Sequence, residues 1–204
     1  MKIICIGRNY AEHAKELNNP IPAEPIFFLK PDTALLRNNA PFFYPSFSQE
    51  ISYEVELVIK IGKVGRCIGE KFAPRYYSEV GLGIDFTARD IQQQCKAKGL
   101  PWEIAKAFDY SAALSSRFLP ISRFESVSQI PFKLLKNGEI VQEGNSSDML
   151  FHVDRIISYV SSFLTLKIGD LIYTGTPAGV GRVEIGDRLQ GFIGDEQMFD
   201  FEIK

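Results

Sequence analysis

Apolar and polar positions alternate in short runs along most of the chain, which is typical of strands. "KIICIG" predicts a buried strand that ends at Gly7, and "EVELVIKIG" predicts the first long strand. "IFFLK", "ALLRN" and "PFFYP" are short strand-like pieces between them, and "YYSEVGLGIDFTA" predicts a strand interrupted at Gly81 and Gly83. Asn137 and Gly138 separate two alternating runs, the strongest local signal for a β-hairpin.

Helical spacing of apolar residues is confined to a few segments. "RDIQQQCKAKG" predicts a helix that starts near Thr87 or Asp90 and stops at Gly99. "VDRIISYVSSFLTLKIGD" predicts a second helix, closed by Gly169, and "RNYAEHAKELN" predicts one or two helical turns. There is no repeat, low-complexity tract or linker, so residues 1–204 are expected to form one β-rich α+β domain.

Composition narrows the possible partners. The net charge of -2 gives no basic field for nucleic acid or for an anionic membrane. The N-terminal apolar run is too short for a signal peptide, and no stretch approaches the length of a membrane span. Three cysteines without a CxxC pair indicate neither a disulfide framework nor a zinc site. We therefore expect a soluble cytoplasmic protein with a small-molecule partner, not a nucleic acid or membrane partner.

Two acids, Glu54 and Glu56, lie two residues apart in the first long predicted strand. Strand alternation places both side chains on one face, where they repel each other. The plain interpretation is a face in water, but the apolar Val58 continues that face and suggests that it is enclosed. Enclosed carboxylates need a counter-charge, and a hard divalent cation is one solution. Asp85, in an apolar run, is a candidate third ligand or a cap for the next helix, and local sequence does not connect it to the pair.

Two further features carry chemistry. His13 and Glu16 lie one helical turn apart, so the carboxylate could orient the imidazole as a base. The alternative is an exposed helix on which the two residues are neighbours by chance. Lys106 lies among apolar residues, either extending its ammonium to water or standing in a cleft as a cation for a developing anion.

Several long segments together resemble the fumarylacetoacetate hydrolase family, particularly its short members that act as acylpyruvases or oxaloacetate decarboxylases. They follow one another in order over nearly the whole chain. The segments are "CIGRNYAEHAKEL", "EPIFFLKPDTAL", "EVELVIKIG", "GIDFTARDIQQQCKAKGLPWEIAKAFD", "NGEIVQEGNSSDMLF" and "LKIGDLIYTGTPAGVG".

This resemblance implies a mixed β-roll of stacked sheets, usually a homodimer, with an N-terminal strand and lid helix in residues 1–40. It implies a Mg²⁺ or Mn²⁺ site formed by Glu54, Glu56 and Asp85. The family's catalytic dyad falls on His13 and Glu16, and its lysine falls on Lys106. The positions implied to line the substrate pocket are Arg8, Tyr10, Lys30, Arg89, Gln92, Thr174, Gly175 and Thr176.

The implied function is metal-dependent hydrolysis of a C–C bond in 2,4-dioxo acids (acylpyruvates), with decarboxylation of oxaloacetate as a further reaction. One alternative is an isomerase, hydratase or tautomerase of unsaturated 2-oxo diacids. Another is a non-catalytic β protein that a metal stabilises. Two departures from the family pattern bear on the substrate: Tyr53 replaces a common histidine before Glu54, and "FDYSAALSSRF" lacks a common Pro-Leu-Gly.

Overall fold

The largest sheet forms the centre of the fold. The computed structural model describes residues 1–16 and 20–204. The strands in chain order are β1 (Ile3–Gly7), β2 (Ile26–Lys30), β3 (Leu35–Leu36), β4 (Ile51–Tyr53), β5 (Val55–Ile61), β6 (Tyr77–Asp85), β7 (Thr87–Ala88), β8 (Ala112–Leu114), β9 (Leu119–Pro120), β10 (Pro131–Lys136), β11 (Glu139–Asn145), β12 (Leu171–Tyr173), β13 (Gly181–Arg182), β14 (Arg188–Ile193) and β15 (Glu196–Glu202). Within the described residues this sheet has eight strands, in the order β2-β1-β12-β5-β6-β8-β3, with β9 paired to β6. It is mixed, because β1 pairs with β12 and β3 with β8 in parallel, whereas the other pairs are antiparallel.

The antiparallel pair β5 and β6 lies in the middle of this sheet. The predicted interruption at Gly81 and Gly83 is wrong, since β6 continues through both glycines. A Cβ atom at Gly83 would lie 2.5 Å from the Tyr173 ring and 2.6 Å from the carbonyl oxygen of Ala113. The glycine is therefore required by close packing against the neighbouring strands and not by a break in the strand.

Two smaller sheets pack against the central one. One has the order β11-β10-β14-β15, and the other has the order β13-β4-β7. The predicted hairpin is confirmed: β10 and β11 pair antiparallel, with Asn137 and Gly138 at positive φ in the turn. One buried apolar cluster joins residues of all three sheets, including Leu57, Leu134 and Ile51. The fold is thus a β-rich, mixed α+β structure, as predicted.

The helices are α1 (Ala11–Glu16), α2 (Arg89–Lys98), α3 (Glu103–Lys106) and α4 (Val153–Phe163). Gly99 ends α2 in the left-handed conformation, as predicted. The predicted extent of α4 to Gly169 is wrong. The helix ends at Phe163 because Leu164 is extended and Leu166 exchanges backbone hydrogen bonds with Gly65. None of the described helices is both long and apolar enough to cross a membrane.

The N-terminal region contains the predicted strand β1 and the short helix α1. The rest of the predicted helical segment, residues 17 and 18, lies outside the described residues. "PFFYP" is wrong as a strand prediction, because only Phe42 forms an isolated bridge, with Ile203. Its flanking prolines cannot donate to a ladder, which explains the short pairing.

Candidate active site

The register of β5 and β6 brings the three predicted acids together. Glu54 follows β4, Glu56 is the second residue of β5, and Asp85 ends β6. The amide of Asp85 donates to the carbonyl oxygen of Glu54 at 2.8 Å, which places the two residues side by side. Each acid offers a carboxylate oxygen within 4.8 Å of the other two, and all three side chains are buried. Asp85 does not cap α2, whose N-cap is Ala88.

Three cations surround this carboxylate triad. The Lys106 ammonium bridges two acids, lying 2.7 Å from Glu54 Oε2 and 2.8 Å from Asp85 Oδ2. Lys106 is only 4% exposed, so the interpretation in which its ammonium reaches water is wrong. Arg89 Nη2 lies 2.6 Å from Glu54 Oε1, and Lys30 Nζ lies 2.7 Å from Asp85 Oδ1. Glu54 and Asp85 are therefore charge-compensated within the protein.

The electrostatics of the three acids differ. Burial opposes ionisation of Glu54, but Lys106 and Arg89 outweigh it and hold the pKa of that carboxyl well below its usual range. Burial likewise opposes the charge on Lys106, but Asp85 and Glu54 raise the pKa of its amine. For Glu56, burial and then the charges of Asp85 and Glu54 raise the carboxyl pKa well above its usual value. Among the described residues no cation pairs with Glu56, which accepts a hydrogen bond from the Gly175 amide at 2.7 Å.

The triad fits a hard divalent cation such as Mg²⁺ or Mn²⁺, since its donors are all carboxylate oxygens. Asp85 Oδ1 is buried and accepts no hydrogen bond from the described residues. Lys30 lies close to that oxygen, but its ammonium donates to the carbonyl oxygens of Phe86 and Ser111 and to the Ser111 hydroxyl. Because those donors are engaged elsewhere, lone pairs of Asp85 Oδ1 are left for an ion.

His13 lines the same cavity from α1, and Glu16 contacts His13 from one helical turn later. His13 Nδ1 lies 3.2 Å from Glu16 Oε2, and Glu16 Oε1 accepts from the Gly179 amide at 3.2 Å. The alternative, in which His13 stands exposed on the helix, is wrong, because its side chain is buried. A carboxylate only accepts hydrogen bonds, so this contact favours the tautomer with a proton on Nδ1 and leaves Nε2 as the basic nitrogen.

One face of α2 forms a polar wall of the cavity. Arg89, Gln92 and Lys96 follow helical spacing and all line the cavity, and Arg89 Nη1 donates to Gln92 Oε1 at 2.9 Å. Lys96 was not among the predicted pocket positions, although it follows Gln92 by four residues, as Gln92 follows Arg89 by three, and this helical spacing is visible in the sequence. The aromatic wall formed by Phe28 and Trp102 was not predicted either.

Four predicted pocket positions lie behind the cavity wall, and four lie on it. Those on it are Arg8, Arg89, Gln92 and Thr176, and those behind it are Tyr10, Lys30, Thr174 and Gly175. Lys30 and Gly175 contact the triad directly, whereas the Thr174 hydroxyl donates to the Leu57 carbonyl at 2.9 Å. Tyr10 is buried edge-on against Phe132. Contact of these eight residues with a substrate stays a prediction.

Asn9 holds the loop between β1 and α1, and the sequence analysis missed it as well. Its side-chain amide donates to the carbonyl oxygens of Phe151 and Thr174 at 3.0 and 2.7 Å, and its Oδ1 accepts from the Phe151 amide at 2.8 Å. The preceding residue, Arg8, has a backbone φ of 58°, a conformation that residues other than glycine rarely adopt. The fully buried Asn9 therefore holds Arg8 in place at the cavity.

Tyr53, the departure from the family pattern beside Glu54, does not line the cavity. Its ring lies against Gly181, where an added Cβ atom would be 2.5 Å from the Tyr53 hydroxyl. Tyr53 thus fills space between strands β4 and β13.

A buried triad of oxygen ligands on a β-rich scaffold, with a histidine and lysines around it, defines the protein as one with a candidate divalent-metal site. The chain matches the family model for the fumarylacetoacetate (FAA) hydrolase C-terminal region over residues 2–203. The protein therefore belongs to the fumarylacetoacetate hydrolase family, as the sequence segments indicated.

Similar proteins include several named enzymes. The chain is 42% identical over 202 residues to a mitochondrial oxaloacetate tautomerase of Mus musculus, covering 99% of this chain and 91% of that protein. It is 45% identical over 204 residues to a mitochondrial oxaloacetate decarboxylase of Dictyostelium discoideum, covering 99% of this chain and 93% of that protein. Fumarylpyruvate hydrolase from Pseudomonas aeruginosa, solved in complex with Mn²⁺ and pyruvate, superposes with a TM-score of 0.93 at 36% identity, covering 100% of this chain and 89% of that one.

Proposed function

We propose that the protein is a Mg²⁺- or Mn²⁺-dependent enzyme that acts on 2-oxo and 2,4-dioxo acids by stabilising an enolate, with hydrolysis of acylpyruvates as its reaction. The observation that carries this proposal is the convergence, on one cavity, of the carboxylate triad, Lys106 and His13, whose imidazole contacts Glu16. The Mn²⁺ and pyruvate bound to the similar fumarylpyruvate hydrolase support the choice of cofactor and of substrate class.

Different residues of the site would have different roles in the reaction. Glu54, Glu56 and Asp85 would hold the ion, which when bound supplies a Lewis acid that stabilises enolate charge. His13 Nε2, with its ring oriented by Glu16, would accept a proton from water while the water oxygen attacks the distal carbonyl carbon of the substrate.

The bond between that carbonyl carbon and the methylene carbon then breaks, and its electron pair stays on the pyruvate fragment as an enolate. Lys106, a buried cation at the triad, would stabilise the negative charge, and one such donor is typically worth about 3 kcal/mol. Thr176, on the cavity wall, is the member of the predicted Thr174–Thr176 turn that is placed to help. His13 returns the proton to the methylene carbon, and the products are a carboxylic acid and pyruvate.

Tautomerisation of oxaloacetate is the second candidate, and the name of the 42% identical relative favours it. In that reaction His13 would move a proton between the methylene carbon and the enol oxygen, and no water would attack. Decarboxylation of oxaloacetate, named for the Dictyostelium relative, needs the same stabilised enolate. All three reactions use the same cation-rich cavity.

A substrate panel tests the proposal. Acetylpyruvate, fumarylpyruvate and oxaloacetate are each incubated with Mg²⁺, Mn²⁺ or a chelator, and pyruvate release and enol absorbance are followed. We expect metal-dependent release of pyruvate and acid from at least one acylpyruvate. Loss of enol absorbance from oxaloacetate without cleavage of any acylpyruvate would replace hydrolysis with tautomerisation. Inertness of all three substrates with metal present would overturn both.

The homodimer and the cytoplasmic location stay predictions. Size-exclusion chromatography with light scattering would test the first, with a mass near twice 23.0 kDa expected.

A further inference from the structure

The cavity holds more cationic side chains than are required to balance the three carboxylates of the triad. The three carboxylates are already matched in number by three cations that contact them, which are Lys30, Arg89 and Lys106. Arg8 and Lys96 line the same cavity, and among the described residues neither makes a salt bridge. With Lys30, which contacts Asp85 from behind the wall, the cavity therefore has a formal excess of two positive charges before any metal is bound.

Arg8 and Lys96 approach the cavity from two different elements. Arg8 comes from the loop after β1, and Lys96 comes from the third helical turn of α2, with its ammonium 5.6 Å from the centroid of the Trp102 ring. Burial lowers the pKa of the Lys96 amine, and the charges of Arg89 and Arg8 lower it further. Lys96 is thus close enough to other cations for repulsion to be felt, and an anion between them would relieve it.

Both cations are held by rigid parts of the fold. Arg8 stays at φ 58° because three hydrogen bonds hold Asn9 to Thr174, directly after strand β12, and to Phe151, before α4. The backbone of Lys96 is fixed by α2, whose inner face also presents Arg89 and Gln92. Residues held in such sparsely populated backbone conformations cluster at ligand-binding positions.

We propose that Arg8 and Lys96 form a subsite for the distal carboxylate of a 2-oxo diacid, so that the enzyme prefers dicarboxylates to 2-oxo monoacids. This inference rests on the proposed function only for the 2-oxo acid end of the ligand. A monoacid brings one negative charge to the cavity and leaves half of the excess uncompensated, whereas a diacid brings two and balances it. The side chains of an arginine and a lysine suit this role because both donate charge-assisted hydrogen bonds to carboxylates.

The test compares two ligands that differ only in the distal carboxylate. 2-Oxoglutarate and 2-oxopentanoate have the same chain length, and their binding to the Mn²⁺-loaded protein is measured by calorimetry. We expect the wild type to bind 2-oxoglutarate about 10-fold more tightly, since a hydrogen bond to a charged group contributes about that much. Lys96→Met should reduce the preference to about 3-fold or less, because Arg8 alone is left, and Lys96→Arg should keep most of it.

Lys98→Met is the matched control, because Lys98 is an exposed lysine of the same helix that does not line the cavity. It should keep the wild-type preference. Equal affinity of the wild type for the two ligands, undetectable binding of 2-oxoglutarate, or an unchanged preference in Lys96→Met would each overturn the subsite.

The binding result is independent of turnover, so the two proposals fail separately. A diacid preference that depends on Lys96, in a protein inert toward all dioxo acids, would support the subsite and overturn the reaction. Turnover of acylpyruvates without any diacid preference would overturn the subsite and leave the reaction supported.

Discussion

The carboxylate triad and the His13–Glu16 pair face one cavity but are held by very different parts of the chain. Glu56 and Asp85 lie on the central strands β5 and β6, and Glu54 directly precedes β5. Buried lysines and an arginine neutralise the charges of Glu54 and Asp85. The pair lies on a helix of six residues, and Glu16 reaches the rest of the protein through one hydrogen bond, to the Gly179 amide at 3.2 Å.

This difference separates two kinds of contribution. Changing an acid of the triad alters the charge balance of the core, so both ion binding and folding stability should respond. Changing His13 removes a proton acceptor from the edge of the site, so only the rate should respond. Replacements of Glu56, His13 and Asn9 would test whether ion binding and stability separate from rate in this way.

Replacement of a triad acid should have the largest effect. Glu56→Gln removes the carboxylate that lacks a cation partner among the described residues. We expect Mn²⁺ affinity to fall at least about 100-fold, since loss of a residue that merely supports a ligand costs 10–100-fold. Activity should fall to background. The metal-free variant should be at least as stable as the wild type, because burial and the neighbouring acids disfavour the charged form of Glu56.

Calorimetry with Mn²⁺ and urea unfolding with and without the ion measure both effects. The control is Glu79→Gln, on the same sheet, where Glu79 is half-exposed and paired with Lys60. Wild-type affinity for Mn²⁺ in Glu56→Gln would contradict the assignment of the triad as the ion site.

Replacement of His13 should reduce the rate and leave the core unchanged. We expect His13→Gln to lower kcat for acylpyruvate hydrolysis by about 10²–10⁴-fold, the usual contribution of a general base. The free energy of unfolding and the affinity for Mn²⁺ should change little. Pyruvate release measures the first quantity, and urea unfolding and calorimetry measure the others.

The second histidine of the chain supplies the control. His152 is exposed at the start of α4 and does not line the cavity, so His152→Gln should keep wild-type turnover. Unchanged turnover in His13→Gln, with ion binding intact, would remove His13 from the mechanism. Absence of activity in every protein, including the wild type, combined with tight ion binding, would favour the non-catalytic β protein that a metal stabilises.

Local signals in the sequence predicted much of the fold. Asn137 and Gly138 need positive φ in a tight turn, and Gly99 ends α2, so the residue types themselves identify these features. The end of α4 could not be predicted in this way. Leu166 still fits a helical pattern, but its backbone pairs with Gly65, which is 101 residues away in sequence.

Prediction of the site from local sequence meets the same limit. Strand alternation correctly places Glu54 and Glu56 near each other, but only the β5–β6 register brings Asp85 to them, and the family resemblance supplied that link before the structure did. Asn9 carries no local signal, because its side-chain partners lie 142 and 165 residues away. Residues that act through distant backbone groups are visible only in the folded chain.

Asn9 connects the two regions of the site. Of the replacements of Glu56, His13 and Asn9, that of Asn9 should have the smallest effect on activity. Asn9→Ala removes three hydrogen bonds and leaves the buried Thr174 carbonyl and the partly buried carbonyl and amide of Phe151 without this partner. We expect a loss of about 2 kcal/mol in the free energy of unfolding, measured in urea. Arg8 would then be free to leave its strained conformation, so KM for 2-oxo acids should rise a few-fold while kcat changes less.

The control is Asn145→Ala, which removes one exposed contact, to the Ser147 amide, and should lower the free energy of unfolding by less than about 1 kcal/mol. Equal stability losses in the two variants, with KM unchanged in Asn9→Ala, would mean that the loop before α1 keeps its shape without Asn9 and that Arg8 is positioned by something else.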